Sequence, residues 1–264
     1  MQHIRLLTFD LDDTLWDNRP VLLAAEQSLF DWLILHYPRI GERFTVESML
    51  ELRMELARRD PDLRYHMTAL RKRSLQLAAE MAGYDDSLVE PAFAWFLEER
   101  HRITPFEDVV PALKILRAAG YLLGSLTNGN ADVNRLGLGQ LFHLSVSAES
   151  TGSAKPDPDI FEQACRRAGV DAVEMAHIGD ELETDVAGAL AAGGTAIWMN
   201  RFARPADPNL AAHATVRDMD ELLALFKVSS WQLAVGSWQL AVGSWQLAVG
   251  SWQLAVGSWQ LANN

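Results

Sequence analysis

Asp10-Leu11-Asp12-Asp13-Thr14-Leu15 gathers three acids in four positions, directly after the largely apolar stretch 4–9. Like charges this close repel, and a fold gains nothing structural by collecting them. A divalent cation held through oxygen removes the difficulty, so the set points to chemistry at a hard metal ion. Three further motifs follow: Thr127-Asn128, Lys155 within Ala154-Lys155-Pro156, and Gly179-Asp180 with Asp185 five residues on. Singly, each has an ordinary explanation. Acids after a strand cap turns and helices, Thr-Asn-Gly-Asn is turn chemistry, a lone Lys before Pro is solvated, and Gly-Asp before a helix is an N-cap. Jointly they occupy strand ends, where open α/β sheets bind ligands.

The elements that must position them alternate. A helix runs from Asp108 to Ala119, with Gly120 at its end. Strands are expected at 121–126, 144–148, 175–178 and 195–199, and the stretch 4–9 joins the same sheet. Pro156-Asp157-Pro158 opens a helix that stops at Gly169. A small-residue helix follows Asp180 through Ala192, and a last helix spans 220–227. Strand–helix alternation with short links implies an α/β fold with a Rossmann-like parallel sheet covered on both faces. Residues 18–103 differ: 20–37, 45–59, 63–82 and 87–102 all read as helices. The expected organisation is a catalytic core of residues 1–17 and 104–229 with an inserted all-helical cap domain, 18–103. Clefts between such units are common ligand sites.

The 264 residues carry a net charge of −12, which argues against nucleic acid or an anionic membrane as partner. One cysteine, Cys165, excludes an intrachain disulfide and lies in a helical apolar pattern, so it reads as core. No signal peptide is visible before the acids at 10–13, and the cytoplasm is the default. Oligomeric state leaves no trace. From Ser230 the chain repeats Ser-Trp-Gln-Leu-Ala-Val-Gly without a single charge to residue 264. Its glycines and missing charged positions argue against a coiled coil. The seven-residue unit can be encoded by GCAGTTG three times over, so a reading frame running into a tandem DNA repeat explains it. On that account the tail 230–264 is not shaped for function.

The order Asp-x-Asp-x-Thr, Thr-Asn, Lys, Gly-Asp-x4-Asp resembles the haloacid-dehalogenase superfamily of phosphatases, over roughly residues 1–228. The stretches 9–21, 127–131 and 177–186 are similar to its branch of flavin-mononucleotide and ribitylaminouracil-phosphate phosphatases. The resemblance implies that Asp10 attacks phosphorus to form an aspartyl-phosphate. It makes Asp12 the acid for the leaving oxygen and then the base for water. Mg²⁺ would lie on Asp10, the Asp12 carbonyl and Asp180. Thr127 and the Asn128 amide would bind phosphoryl oxygens, Lys155 would supply fixed positive charge, Asp185 would hold Lys155 or a metal-bound water, and Glu181 would assist. Trp16, Asn18 and Arg19, beside the nucleophile, and Tyr65 and His66, in the cationic segment from Arg64 to Arg73, would meet the substrate. Arg71–Arg73 also reads as a solvated helix face. The partner is then a small phosphorylated metabolite: flavin mononucleotide, the ribitylaminouracil phosphate, phosphoglycolate, a nucleotide or a sugar phosphate. A 2-haloacid dehalogenase, a phosphomutase, a phospho-receiver domain and a non-catalytic binding protein remain as alternatives, although Asp12 favours phosphoryl transfer over dehalogenation.

Overall fold

Every residue of Leu6–Phe9, strand β1, is buried, as a strand covered on both faces requires. The computed structural model describes residue 1, residues 3–60, residue 63 and residues 65–228. The expected tail at 230–264 and Arg64 lie outside the described residues. After β1 the chain forms α1 (Asn18–His36), α2 (Arg39–Arg43), α3 (Val46–Arg59), α4 (Met67–Met81) and α5 (Val89–Arg100). It continues through α6 (Val109–Ala118), β2 (Leu122–Thr127), β3 (Leu144–Ser147), α7 (Ala148–Thr151) and α8 (Pro158–Ala168). Then come β4 (Met175–Gly179), α9 (Ala187–Ala191), β5 (Thr195–Met199), β6 (Ala214–Val216) and α10 (Met219–Leu225).

The six strands pair in parallel, in the order β3-β2-β1-β4-β5-β6. Successive side chains of β1 face opposite ways. Leu7 and Phe9 enter one core with Val109, Leu113 and Leu116 of α6 and Leu222 of α10. Leu6 enters the other with Ile160 and Phe161 of α8 and Ala189 of α9. Each such fully buried side chain contributes about 1.5–3 kcal/mol. A third core belongs to the helices: Leu29 and Leu33 of α1, Leu75 and Ala79 of α4, and Phe93 and Phe96 of α5.

Local chemistry sets the ends. Asp157 accepts from Asp159 N, Pro158 opens α8, and Gly169 closes it at φ 67°, a left-handed backbone that glycine adopts without strain. Four features depart from expectation. β6, α2 and α7 are too short to leave a periodic signal, and Ala148, expected to end a strand, opens α7. The helix expected after Asp180 begins instead as a wide π turn, Leu182–Val186, in which Asp185 Oδ2 accepts from Glu181 N at 2.9 Å. The chain leaves β1 for β2 and β3 on one side, then crosses to β4, β5 and β6 on the other. The carboxyl ends of β1, β2 and β4 therefore bound the point where the winding reverses. No helix among the described residues is long and apolar enough to cross a membrane.

Candidate active site

Asp10 N–H donates to Ile178 O at 2.8 Å, so the ladder with β4 extends one residue past β1. The Asp10 side chain is thereby fixed at the sheet's carboxyl end, where it is buried. Lys155 Nζ lies 2.5 Å from Asp10 Oδ1 and 2.6 Å from Asp185 Oδ1. Lys155 is itself 2% exposed, so the solvated role that an isolated Lys before Pro suggests does not hold. Asn128 clamps its main chain: Lys155 N donates to Asn128 Oδ1 at 2.7 Å, and Asn128 Nδ2 donates to Lys155 O at 2.8 Å. Thr127 Oγ1, at the end of β2, accepts from Gly129 N at 2.9 Å.

β4 brings the remaining acids. Asp185 Oδ1 also meets His177 Nε2 at 3.1 Å, and His177 Nδ1 meets Thr8 Oγ1 at 2.9 Å. The approach of Asp185 requires glycine at 179, where a Cβ would stand 2.2 Å from Asp185 Cγ. Asp180 accepts from Thr14 Oγ1 at 3.3 Å and pairs with Arg204 Nη1 at 2.9 Å. Trp198 Nε1 holds the Asp180 carbonyl at 2.8 Å. Glu181 is exposed and also pairs with Arg204.

Asp12 stands apart from this cluster. Its Oδ1 accepts from Trp16 Nε1 at 2.8 Å and its Oδ2 from Arg100 Nη2 at 2.5 Å. Gly129 makes the convergence possible: a Cβ there would lie 3.0 Å from Asp12 Oδ2 and 3.3 Å from Thr127 Oγ1.

The electrostatics follow from burial and like charge. Burial, with Asp10 and Asp185 nearby, pushes Asp180 up to about 9. Burial raises Asp10 to about 7, against the pull of Lys155. Burial would raise Asp185 too, but Lys155 and His177 hold it well below the usual carboxylate range. Lys155 is raised by Asp10 and Asp185 in spite of its burial. Oxygens of Asp10, Asp180 and Asp185 all lie within 4.8 Å of one another. An all-oxygen, carboxylate-rich set of this kind fits a hard cation such as Mg²⁺, whose charge would relieve the repulsion that raises Asp180.

Other side chains singled out in the sequence fall differently. Trp16 is wholly buried and serves Asp12, so it offers no face to a substrate. Asn18 N donates to Asp13 Oδ1 at 2.9 Å, and Arg19 is exposed on the first turn of α1. Tyr65 Oη donates to Glu183 Oε1 at 2.7 Å, joining the helical segment to the sheet's carboxyl end. His66 precedes α4 and is half-buried. Arg71 is not on a solvated face: it is buried and pairs with Glu26. Two residues gave no signal in the sequence: Arg100 follows two glutamates and reads as surface, and Arg204 lies in an irregular loop. His177 opens the stretch 177–186, but the resemblance implies no role for it there.

Residues 4–193 match the haloacid dehalogenase-like hydrolase family. The chain belongs to the haloacid dehalogenase-like hydrolases. The chain is similar to 5-amino-6-(5-phospho-D-ribitylamino)uracil phosphatase YigB of Escherichia coli (strain K12), 34% identical over 74% of this chain and 83% of its own. Glyceraldehyde 3-phosphate phosphatase of Methanopyrus kandleri is 30% identical over 75% of this chain and 84% of its own. The crystal structure of a 2-haloacid dehalogenase from Pseudomonas syringae pv. Tomato DC3000 superposes with a TM-score of 0.77 at 42% identity, covering 85% of this chain and 98% of that one. With its curated phosphatase relatives, this haloacid dehalogenase-like hydrolase is a phosphoric monoester hydrolase.

Proposed function

We propose that the chain is a Mg²⁺-dependent phosphatase for a small phosphorylated metabolite of the ribityl-phosphate kind, with residues 18–103 as a substrate-selecting cap. The observation that carries the reading is the buried set of Asp10, Asp180 and Asp185 around one lysine. Three acids meet one buried lysine and the partly exposed Arg204, and a phosphate dianion would add to the negative charge unless a cation came first. Mg²⁺ held by Asp10, the Asp12 carbonyl and Asp180 would neutralise charge on the phosphoryl oxygens.

Asp10 is then the nucleophile. As its oxygen bonds to phosphorus, the ester P–O bond breaks and the leaving oxygen takes a proton from Asp12. Water completes the cycle when Asp12 removes its proton, which releases phosphate and restores Asp10. Lys155 and Thr127 bind phosphoryl oxygens. The Asn128 side-chain amide is engaged with Lys155, so contact with the phosphoryl group falls to its main-chain N–H. Asp185 orients Lys155, and Glu181 assists through Arg204.

The likeness to a 2-haloacid dehalogenase structure supports a second reading, in which Asp10 displaces halide from carbon and no metal is required. A hydrolysis panel separates the two. With Mg²⁺, flavin mononucleotide, the ribitylaminouracil phosphate, phosphoglycolate and nucleotides are compared, and haloacids are assayed in the same preparation. Phosphate release that vanishes with a chelator and returns with Mg²⁺ supports the phosphatase. Haloacid turnover persisting in chelator, without phosphate release, replaces it.

A further inference from the structure

Arg100, the last residue of α5, reaches from the helical segment to Asp12. It is 2% exposed. Nη2 donates to Asp12 Oδ2 at 2.5 Å, and Nε donates to Asn130 Oδ1 at 2.7 Å. Nη1 is buried with no hydrogen-bond partner among the described residues. A buried charged donor is costly to leave unpaired, and this one belongs to a rigid planar fork whose other arm is fixed on Asp12. The surroundings are cationic: burial, then Arg53 and Arg100, push Arg71 down to about 10 against the pull of Glu26. A second anchor for an oxygen acceptor is what such a place offers.

We infer that Arg100 binds the leaving group: Nη2 holds Asp12 while Nη1 donates to an oxygen carried on the carbon adjacent to the ester carbon. The inference rests on the phosphatase reading, in which Asp12 serves the ester oxygen. In a phosphate of a vicinal diol or a 2-hydroxy or carboxylated alcohol, one C–C bond fixes that second oxygen close to the ester oxygen. One carbon likewise fixes the two Nη atoms. The guanidinium therefore engages the acid and the neighbouring oxygen together. The substrate class is phosphomonoesters with a hydroxyl or carboxyl oxygen next to the scissile end, rather than plain alkyl or aryl phosphates.

The test uses the whole chain with Mg²⁺ and three probes: propane-1,2-diol 1-phosphate, propyl phosphate, which lacks only the hydroxyl, and phenyl phosphate. The unaltered protein is expected to favour the diol phosphate over propyl phosphate by roughly 10-fold or more in kcat/KM, as hydrogen bonds to charged groups allow. Arg100→Lys keeps the charge on Asp12 but loses the second arm. It should cut that preference to less than about threefold, read as the ratio of the diol to the propyl phosphate whatever the absolute rates. Equal rates on the diol and propyl phosphates in the unaltered protein overturn the inference, whatever the folding of the variant. So does a uniform loss on all three probes in Arg100→Lys, because the residue then only positions Asp12. Absence of phosphate release from all three probes by the unaltered protein with Mg²⁺ overturns the phosphatase reading itself, and this inference with it.

Discussion

Among the described residues, two buried charge clusters have opposite imbalance. At the sheet's carboxyl end, Asp10, Asp180 and Asp185 surround Lys155. Inside the helical segment, Arg53 and Arg71 converge on the single acid Glu26, at 2.5 and 2.7 Å. The excess positive charge of the second is met within the fold: Arg71 stacks 3.3 Å over the Phe96 ring, and Arg53 keeps partial access to water. The excess negative charge of the first has no such outlet. Arg204 reaches Asp180 only from a half-exposed position, and Lys155 is already shared. A cluster completed from within is structure, while one left short of a counter-charge is built for something that arrives.

The largest effect that divides them is on turnover. Asp10→Asn should remove phosphatase activity by on the order of 10⁴-fold or more while leaving the urea midpoint unchanged or higher, since one buried charge is lost from an overcharged set. A fall in stability with activity kept would reverse the contrast. Next comes the loss of a sole partner. Lys155→Met and Glu26→Gln should each destabilise by about 3–5 kcal/mol, because each strands buried opposite charges. Urea unfolding of both variants measures this, and only the first should also abolish turnover.

How much of this was legible in the sequence follows the same division. The residues clustered at the sheet's carboxyl end stand out in the sequence because acids, Thr-Asn and Lys at strand ends are chemically odd, and β1, β2, β4 and β5 are apolar runs bounded by turn residues. The Glu26 cluster could not be found. Arg71 sits in Arg71-Lys72-Arg73, a run that looks solvated until α1, α3 and α4 bring Glu26, Arg53 and Arg71 together. Arg100 is hidden likewise behind Glu98-Glu99. Long-range pairings such as Arg100 with Asp12 leave no local pattern, and β6 is too short to leave one.

Cation binding gives a smaller and sharper discrimination. At a Mg²⁺ concentration of 100 times Kd the protein should gain about 2.7 kcal/mol of stability. Asp180→Asn should lose most of that gain and Glu26→Gln should keep it. A thermal melt with and without Mg²⁺ reads the difference.

The pH dependence should then differ in sign. Asp10 and Asp180, raised by burial to about 7 and about 9, bind protons more tightly folded than unfolded. Without metal, their contribution is fully present below the ordinary carboxylate pKa of about 4 and is lost as pH rises through the folded values. Burial would raise Glu26 as well, but its bonds to Arg71 and Arg53 hold it below its ordinary value. Its contribution is present above about pH 4.5 and is lost as pH falls. Urea titrations of the metal-free protein from pH 4 to 9, repeated with Asp180→Asn, should flatten the alkaline limb alone. The smallest effect is expected from deleting residues 230–264: within about 0.5 kcal/mol, with Mg²⁺-dependent turnover kept. Loss of activity on truncation would make that segment a packed part of the core.

The central position of β1 has a consequence for how the chain assembles. Leu6 pairs with Leu122, 116 residues downstream, so the first strand synthesised waits for its neighbour. The helical segment lies between them, and its two ends return to adjacent residues: Asn18 bonds to Asp13 and Arg100 to Asp12. If the helices form first and α1 packs on α5, they bring these ends together before any parallel pairing begins. The remaining flexible length falls to roughly 34 residues, which lowers the entropy of closing the loop by about 1 kcal/mol. Helices that share a core of their own in the finished molecule then act, during folding, as a splint that shortens the search for the sheet's centre.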